Sequence, residues 1–237
     1  MHPVECLAVW LGRLPFSEAL ELQMRICGLK KQGEGPDVLL LVEHPPTITL
    51  GRNGGREHLL VDEETLGRRG IELHHVDRGG AITYHGPGQL VGYPLLMLGK
   101  GERNVRGYMR NLEQSLIDLV AAYGVAAGRE EGYTGVWTPG GKVAAMGVHI
   151  SRWVTRHGFA LNINTDLTYY DLIVPCGIIG KSVTSLCALL GRPLDLEEVA
   201  DRYLPCFGAV FGRTMTAVDR GFLESIFGGS PGVQSEM

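Results

Sequence analysis

The sequence predicts an α+β fold, and three observations carry that prediction. Apolar runs of strand length are mixed with segments of helical period, without the regular alternation of a parallel α/β protein. Glycine is abundant, 34 residues in 237, well above the usual ~7%, which favours many tight turns over a helical bundle. In the second half, several strand-like segments follow one another directly, with turn residues between them.

Taken in order, Leu7-Ala8-Val9-Trp10 reads as a first strand. A helix is expected after Pro15 with Ser17 as N-cap; Ala19, Leu22, Ile26 and Leu29 form its apolar stripe and Gly33-Glu34-Gly35-Pro36 stops it. Val38-Leu39-Leu40-Leu41-Val42 is continuously apolar, the mark of a strand covered on both faces. Thr47-Ile48-Thr49-Leu50 is the next strand, Asp62 caps a short helix, and Ile71 to Val76 forms a further strand. His74 and His75 are adjacent there, so they face opposite ways and cannot chelate one metal; they read as structural or exposed.

The stretch from Arg78 to Tyr93 is denser in information. Ala81-Ile82-Thr83-Tyr84 and Leu90-Val91-Gly92-Tyr93 have strand composition, with Gly86-Pro87-Gly88 as a turn signal between them. Five glycines lie in or beside these strands. Two readings stand open: a glycine-rich hairpin, or a place where a ligand or another backbone comes close.

A strong helix follows Asn104 as N-cap, with Val105, Tyr108, Met109, Leu112, Leu116, Leu119, Val120 and Tyr123 on one face and Gly124 at its end. Strands are expected at 135–137, 142–150 and 158–164, then a turn-rich connection through Asp166–Tyr170 and Val174–Ile178. Asp195 opens a last helix, with Glu198 completing a capping box and Pro205 kinking or shortening it. No repeat or linker interrupts the chain, so one domain is expected over 1–227, with a disordered tail over 228–237.

The net charge of −4 speaks against a dedicated nucleic-acid binder. Positive charge is clustered at Arg52, Arg56, Arg68, Arg69 and Arg78, and again at Lys100, Arg103, Arg106 and Arg110; such clusters are solvated faces by default, or a docking face for an acidic partner. Five cysteines without C-x-x-C spacing fit free thiols in a reducing compartment rather than disulfides or a zinc site. With neither a signal-peptide pattern nor an apolar segment of membrane-spanning length, a cytoplasmic location is expected, and no metal.

Cys176 stands apart from the other cysteines, flanked by Pro175 and Gly177 in a loop; Cys6, Cys27, Cys187 and Cys206 read as small buried hydrophobes. A nucleophilic thiol needs a nearby cation or base. Lys142 is the candidate, although a lysine opening a strand is more often a solvated end. An ammonium ~4 Å from the sulfur, at an effective dielectric of ~20, supplies about 4 kcal/mol, or roughly three pKa units. That is enough to make thiolate the dominant form at neutral pH, but sequence alone does not bring the two residues together.

Four segments do so by resemblance. Arg78-Gly79-Gly80-x-x-Thr83-Tyr84-His85-Gly86-Pro87-Gly88-Gln89-Leu90-Val91-x-Tyr93, Lys142-Val143-Ala144-Ala145-Met146-Gly147, His157-Gly158-Phe159-Ala160-Leu161-Asn162 and Val174-Pro175-Cys176-Gly177-Ile178 resemble, in order, the lipoyl/octanoyl transferase family of the lipoate–protein ligase B type. The resemblance implies a fold like the biotin/lipoyl ligase catalytic domain, a mixed and mostly antiparallel sheet with flanking helices. It implies transfer of an octanoyl or lipoyl group from acyl carrier protein to a lysine of lipoyl carrier domains, those of 2-oxo acid dehydrogenases and of the glycine cleavage system, without a cofactor. Cys176 would carry the acyl group as a thioester, and Lys142 would lower the thiol's pKa and act as general acid and base.

The substrate pocket implied is Arg78, Gly79, Gly80, Ala81, Ile82, Thr83, Tyr84 and His85, with Ala145, Met146, Gly147, Gly158, Phe159 and Ala160. An alkyl chain offers only apolar surface, so Gly79, Gly80, Ala145, Gly147, Gly158 and Ala160 suit close approach, and glycine N–H groups suit an oxyanion. Met146 stands where the family pattern leads one to expect isoleucine. The alternatives are an ATP-dependent lipoate–protein ligase, for which the Arg-Arg-x-Ser-Gly-Gly-Gly motif is lacking, and a non-catalytic module that binds lipoyl domains.

Overall fold

The computed structural model describes residues 4–174 and 181–228. The chain opens with β1 (Val4–Arg13) and α1 (Phe16–Lys30). Pro15, not Ser17, occupies the N-cap, and no side chain caps this helix. Packing holds it instead: Phe16, Ala19, Leu22, Ile26 and Cys27 are buried. β2 (Asp37–Glu43) is covered on both faces, as its composition predicts; Leu39 and Leu41 enter one core, and Val38, Leu40 and Val42 the other.

β3 (Thr47–Leu50), α2 (Glu63–Arg68), β4 (Glu72–His75) and β5 (Ile82–His85) follow, and Asp62 caps α2 by accepting from the Thr65 N–H at 2.8 Å. Next come β6 (Gln89–Leu95) and α3 (Val105–Ala122), capped by Asn104, whose Oδ1 accepts from the Gly107 N–H at 3.1 Å. The second half holds β7 (Gly128–Glu130), β8 (Tyr133–Thr138), β9 (Gly141–Ser151) and β10 (Val154–Asn162). α4 (Leu186–Leu190), α5 (Leu196–Phe211), β11 (Arg213–Ala217) and α6 (Arg220–Phe227) complete the described chain.

Eight strands form one sheet in the order β11-β1-β2-β6-β10-β9-β8-β7, parallel only across β11-β1-β2. α3 and α5 bury Leu112, Leu116, Leu119, Tyr203 and Phe207 on one face; α1 and α6 bury Ile26, Leu223 and Phe227 on the other. A second sheet of three strands, β4-β3-β5, has its own small core around Ile48, Leu50, Ile82 and Tyr84. No helix among the described residues is long and apolar enough to cross a membrane.

The hairpin reading of Arg78–Tyr93 is wrong. β5 pairs with β3 in the small sheet, whereas β6 pairs with β2 and β10 in the large one. Gly86-Pro87-Gly88 therefore carries the chain from one sheet to another. Two further expectations fail for local reasons. Val105 is half exposed, because the first turn of α3 lies at the mouth of a cleft rather than over the core. Of the two effects expected of Pro205, shortening is not seen: α5 runs on to Phe211, with the proline on the exposed face, where water can replace the lost hydrogen bond, while Tyr203, Phe207 and Phe211 pack inward.

One buried ionic network joins distant parts of the chain. Asp37 accepts from Lys30 Nζ at 2.7 Å and Arg213 Nε at 2.9 Å, and Arg213 also binds Glu102 at 2.6 Å. The Asp37, Lys30 and Arg213 side chains are almost inaccessible to water. Removing one partner leaves charge buried without its match, so Arg213→Met is expected to lower the unfolding free energy by about 3 kcal/mol in a denaturant titration. An unchanged midpoint would show that this network contributes nothing to stability.

Candidate active site

A largely apolar cavity lies between the two sheets. The small sheet contributes Thr49, Ile82, Thr83 and His85, with Arg78, Gly80 and Ala81 in the approach to β5. Val91 and Tyr93 come from β6; Ala145, Met146 and Gly147 from β9; His157 to Ala160 from β10; and Phe16 from the start of α1. Of the fourteen pocket residues expected from sequence, Gly79 and Tyr84 alone do not line it. Gly79 lines the adjoining cleft, and Tyr84 stacks on Tyr169 at 4.7 Å in the small core.

Two of the cavity glycines also lie against a neighbouring backbone. A β-carbon at Gly147 would sit 2.5 Å from the Gly79 carbonyl oxygen, and one at Gly158 would overlap the Gly92 carbonyl. Glycine at these positions lets a neighbouring backbone come close. Gly80, at φ +86, does need glycine for its conformation. Arg78 belongs to no solvated face. It is buried, and its guanidinium donates to Thr49 Oγ1 at 2.9 Å, the Thr49 carbonyl at 2.7 Å and the Gly79 carbonyl at 3.0 Å, bracing the glycine loop against β3.

Lys142 is likewise buried rather than a solvated strand end. Its ammonium lies 4.7 Å from the centre of the Trp137 ring. Its main chain pairs with a later segment: its N–H donates to the Ser182 carbonyl at 2.9 Å, and its carbonyl accepts from the Thr184 N–H at 3.0 Å. Lys142 lines the cleft next to the cavity, and Gly80, Ala81, Met146 and Gly147 line both spaces. Cys176 lies outside the described residues, as do the ends of the Val174–Ile178 segment beyond Val174. On the near side of it, the Val174 N–H donates to the His58 carbonyl at 2.8 Å. Cys6 and Cys27 are buried as expected, and burial pushes their thiols up to about 12 and about 11. Cys187 and Cys206 are only partly buried.

Sequence reasoning missed the polar frame around these residues. The Gln89 amide donates to the Tyr84 carbonyl at 3.1 Å and Asn162 Oδ1 at 2.9 Å, while its Oε1 meets His85 Nδ1 at 2.9 Å. Asn162 in turn donates to the Thr184 carbonyl at 3.1 Å, so the frame runs from His85 to the segment paired with Lys142. Asp77 holds His157 Nε2 at 2.9 Å, His149 Nδ1 at 3.2 Å and the Arg156 guanidinium. Its own desolvation raises its pKa, but the His157 hydrogen bond and the Arg156 guanidinium outweigh it and hold the carboxyl below its usual range. His157 adopts φ +57 within β10, a conformation unusual for a side-chain-bearing residue. His157 and Gln89 were legible as motif members but not as framework; Phe16 and Thr49 gave no signal beyond a helix start and a strand.

The chain is thus an α+β domain with an apolar cavity between its two sheets and a buried lysine beside the cavity's open end. The chain belongs to the family of the lipoyl protein ligase A/B catalytic domain, whose model matches residues 15–208. It is 52% identical over 206 residues to an octanoyltransferase of Solibacter usitatus, covering 87% of this chain and 93% of that one. It is 50% identical over 217 residues to an octanoyltransferase of Acidobacterium capsulatum, covering 85% and 88%. Among solved structures, a lipoate-protein ligase A bound with ATP superposes with a TM-score of 0.76 over 94% of this chain and 92% of that one. A putative lipoate protein ligase from T. acidophilum with bound lipoic acid gives 0.73, over 94% and 93%. At 15% and 14% identity, these two likenesses are of fold alone.

Burial depresses three histidines around the cavity: His85 to about 3, and His44 and His157 to about 4, the last against the opposing pull of Asp77. A lowered histidine pKa means that the unfolded chain binds more protons between the folded and unfolded values. Stability is therefore present above the unfolded value of ~6.5 and falls as pH drops below it, by about 2 kcal/mol per histidine near pH ~5. Urea titrations between about pH 7.5 and 5 should show this decline; a flat profile would contradict the neutral assignment.

Proposed function

We propose that this chain is an octanoyltransferase acting as one catalytic domain in the cytoplasm. On this reading it takes an octanoyl group from the thioester of acyl carrier protein, holds it on Cys176, and passes it to a lysine of lipoyl domains and of the glycine cleavage carrier. The observation that carries the reading is the position of Lys142, buried beside the open end of an apolar cavity and hydrogen-bonded through its main chain to Ser182, a few residues after Cys176. The names of the relatives at 52% and 50% identity support the same activity.

The chemistry follows from these groups. The octanoyl chain enters the cavity against Ala145, Met146, Phe159 and Ala160, which removes it from water at about 0.8 kcal/mol per methylene. The Cys176 thiolate attacks the donor carbonyl, and the tetrahedral intermediate collapses with loss of the carrier thiolate, which takes a proton from Lys142. One thioester has replaced another at little cost. The acceptor lysine amine then attacks the Cys176 thioester. Lys142, now neutral, accepts the amine proton as the amide forms and the Cys176 thiolate leaves.

Donor docking is narrowed by the ion pairs. Arg56 binds Glu63, Arg68 lies near Glu64, and Arg110 binds the buried Glu113. Arg103 lies over the Trp153 ring. Arg106 stands beside exposed Val105 in the first turn of α3, next to the cleft that holds Lys142. An acidic carrier would meet Arg106 there.

Incubation with octanoyl carrier protein, followed by intact-mass measurement, should give one octanoyl adduct on the wild type and none on Cys176→Ala. Lys142→Ala should slow loading by about 10²–10⁴-fold. An adduct that persists on Cys176→Ala would remove that residue as nucleophile, and a requirement for ATP would favour the ligase. Arg106→Glu should raise the apparent Michaelis constant for the donor several-fold and weaken its salt dependence.

A further inference from the structure

The cavity has two unlike ends. At one end Gly80 is exposed and Ala145 and Met146 are half-buried, and this end is continuous with the cleft that holds Lys142. At the other end stand Phe16, His85 and Tyr93, between 2% and 6% exposed. Phe16 lies parallel to the His85 ring at 6.1 Å and edge-on to His44 at 5.5 Å. His44 is fully buried and bridges two elements: its Nε2 meets the Tyr93 hydroxyl at 2.8 Å, and its Nδ1 meets the Leu14 carbonyl at 2.7 Å, two residues before Phe16. The start of α1 is thus tied to β6 across the back of the cavity.

From this arrangement we infer that Phe16 is the stop that sets acyl chain length, a specificity residue on a helix that supplies no other part of the cavity. The inference rests on the octanoyl-transfer reading. An acyl chain whose carbonyl is held at the open end extends toward the ring wall, and its terminal methyl meets Phe16. Phe16 is suited to act as a stop because it cannot swing aside. The His44 bridge fixes the main chain before it, and His74 packs on it from outside at a ring separation of 5.1 Å. His74 is itself hydrogen-bonded to Glu72 at 2.7 Å, so the space beyond Phe16 ends in a polar pair. Removing the ring lengthens the cavity by a finite step rather than opening a tunnel.

The test measures kcat/KM for hexanoyl, octanoyl, decanoyl and dodecanoyl carrier protein, with the thermal midpoint of each variant recorded alongside. One methylene in an apolar pocket changes kcat/KM by about 10–200-fold. Phe16→Leu should raise the decanoyl-to-octanoyl ratio by at least about tenfold, Phe16→Ala should raise it further, and Phe16→Trp should move preference toward hexanoyl. If the alanine variant does not fold, the leucine and tryptophan variants test opposite directions without leaving a large void. A parallel loss for all four donors, tracking the midpoint, would overturn the inference and leave Phe16 as core packing. A wild type that takes no acyl group from any donor would fail the octanoyl-transfer reading itself, a different result from an unmoved chain-length profile in an active enzyme.

Discussion

The two sheets are held together by a tight constraint between His85 and Gln89, where the chain leaves one sheet and enters another within three residues. Gly88 makes the transfer at φ +81, with the Asn164 backbone so near that a β-carbon would lie 2.6 Å from it. Its carbonyl accepts from the Asn164 N–H at 2.8 Å, and its own N–H donates to Glu43 at 2.7 Å. Buried backbone and amide groups must be paired wherever they cannot reach water, and here Gln89 pairs them across the junction, binding one sheet through the Tyr84 carbonyl and the other through Asn162. The cavity is the space left between the two sheets that this junction holds apart. Its walls are set by backbone, and its apolar lining follows.

The glycine loop braced by Arg78 packs against β9, where the Gly79 N–H donates to the Val148 carbonyl at 3.0 Å. β9 also carries Lys142, Ala145 and Met146, so one strand presents both the buried ammonium and part of the cavity wall. The segment around Ser182 and Thr184 lies along the same strand, joined to it by the two main-chain hydrogen bonds of Lys142 and a bridge between Lys142 and Val183.

Local signals in the sequence were reliable where local chemistry decides. Asp62, Asn104 and Asp195 all cap the helices they were expected to cap, because an N-cap needs only a side-chain oxygen and the next turn's N–H groups. The continuous apolar run of β2 correctly told of two covered faces. The sheet assignment of Arg78–Tyr93 was not legible, since a turn between two strands reads alike whether it pairs them or separates them. β11 and α6 escaped notice for a related reason: a five-residue strand of Arg-Thr-Met-Thr-Ala has no strong pattern of its own, and its partner is the first strand of the chain. The family motifs located nearly all the pocket residues, but not Phe16, whose position at the back of the cavity follows from the tertiary fold alone.

The ionic network at Asp37 bears on how the molecule is made. Lys30 and Asp37 emerge from the ribosome early and close together, whereas Arg213 follows 176 residues after Asp37. Until it arrives, β1 has an open edge and Asp37 has only one of its two cationic partners. The parallel pairing of β11 with β1 then seals both at once. Such a contact, made across a very long loop closure, makes the late strand a condition for the native sheet, and an interrupted translation product is left with an exposed strand edge that quality-control machinery can recognise.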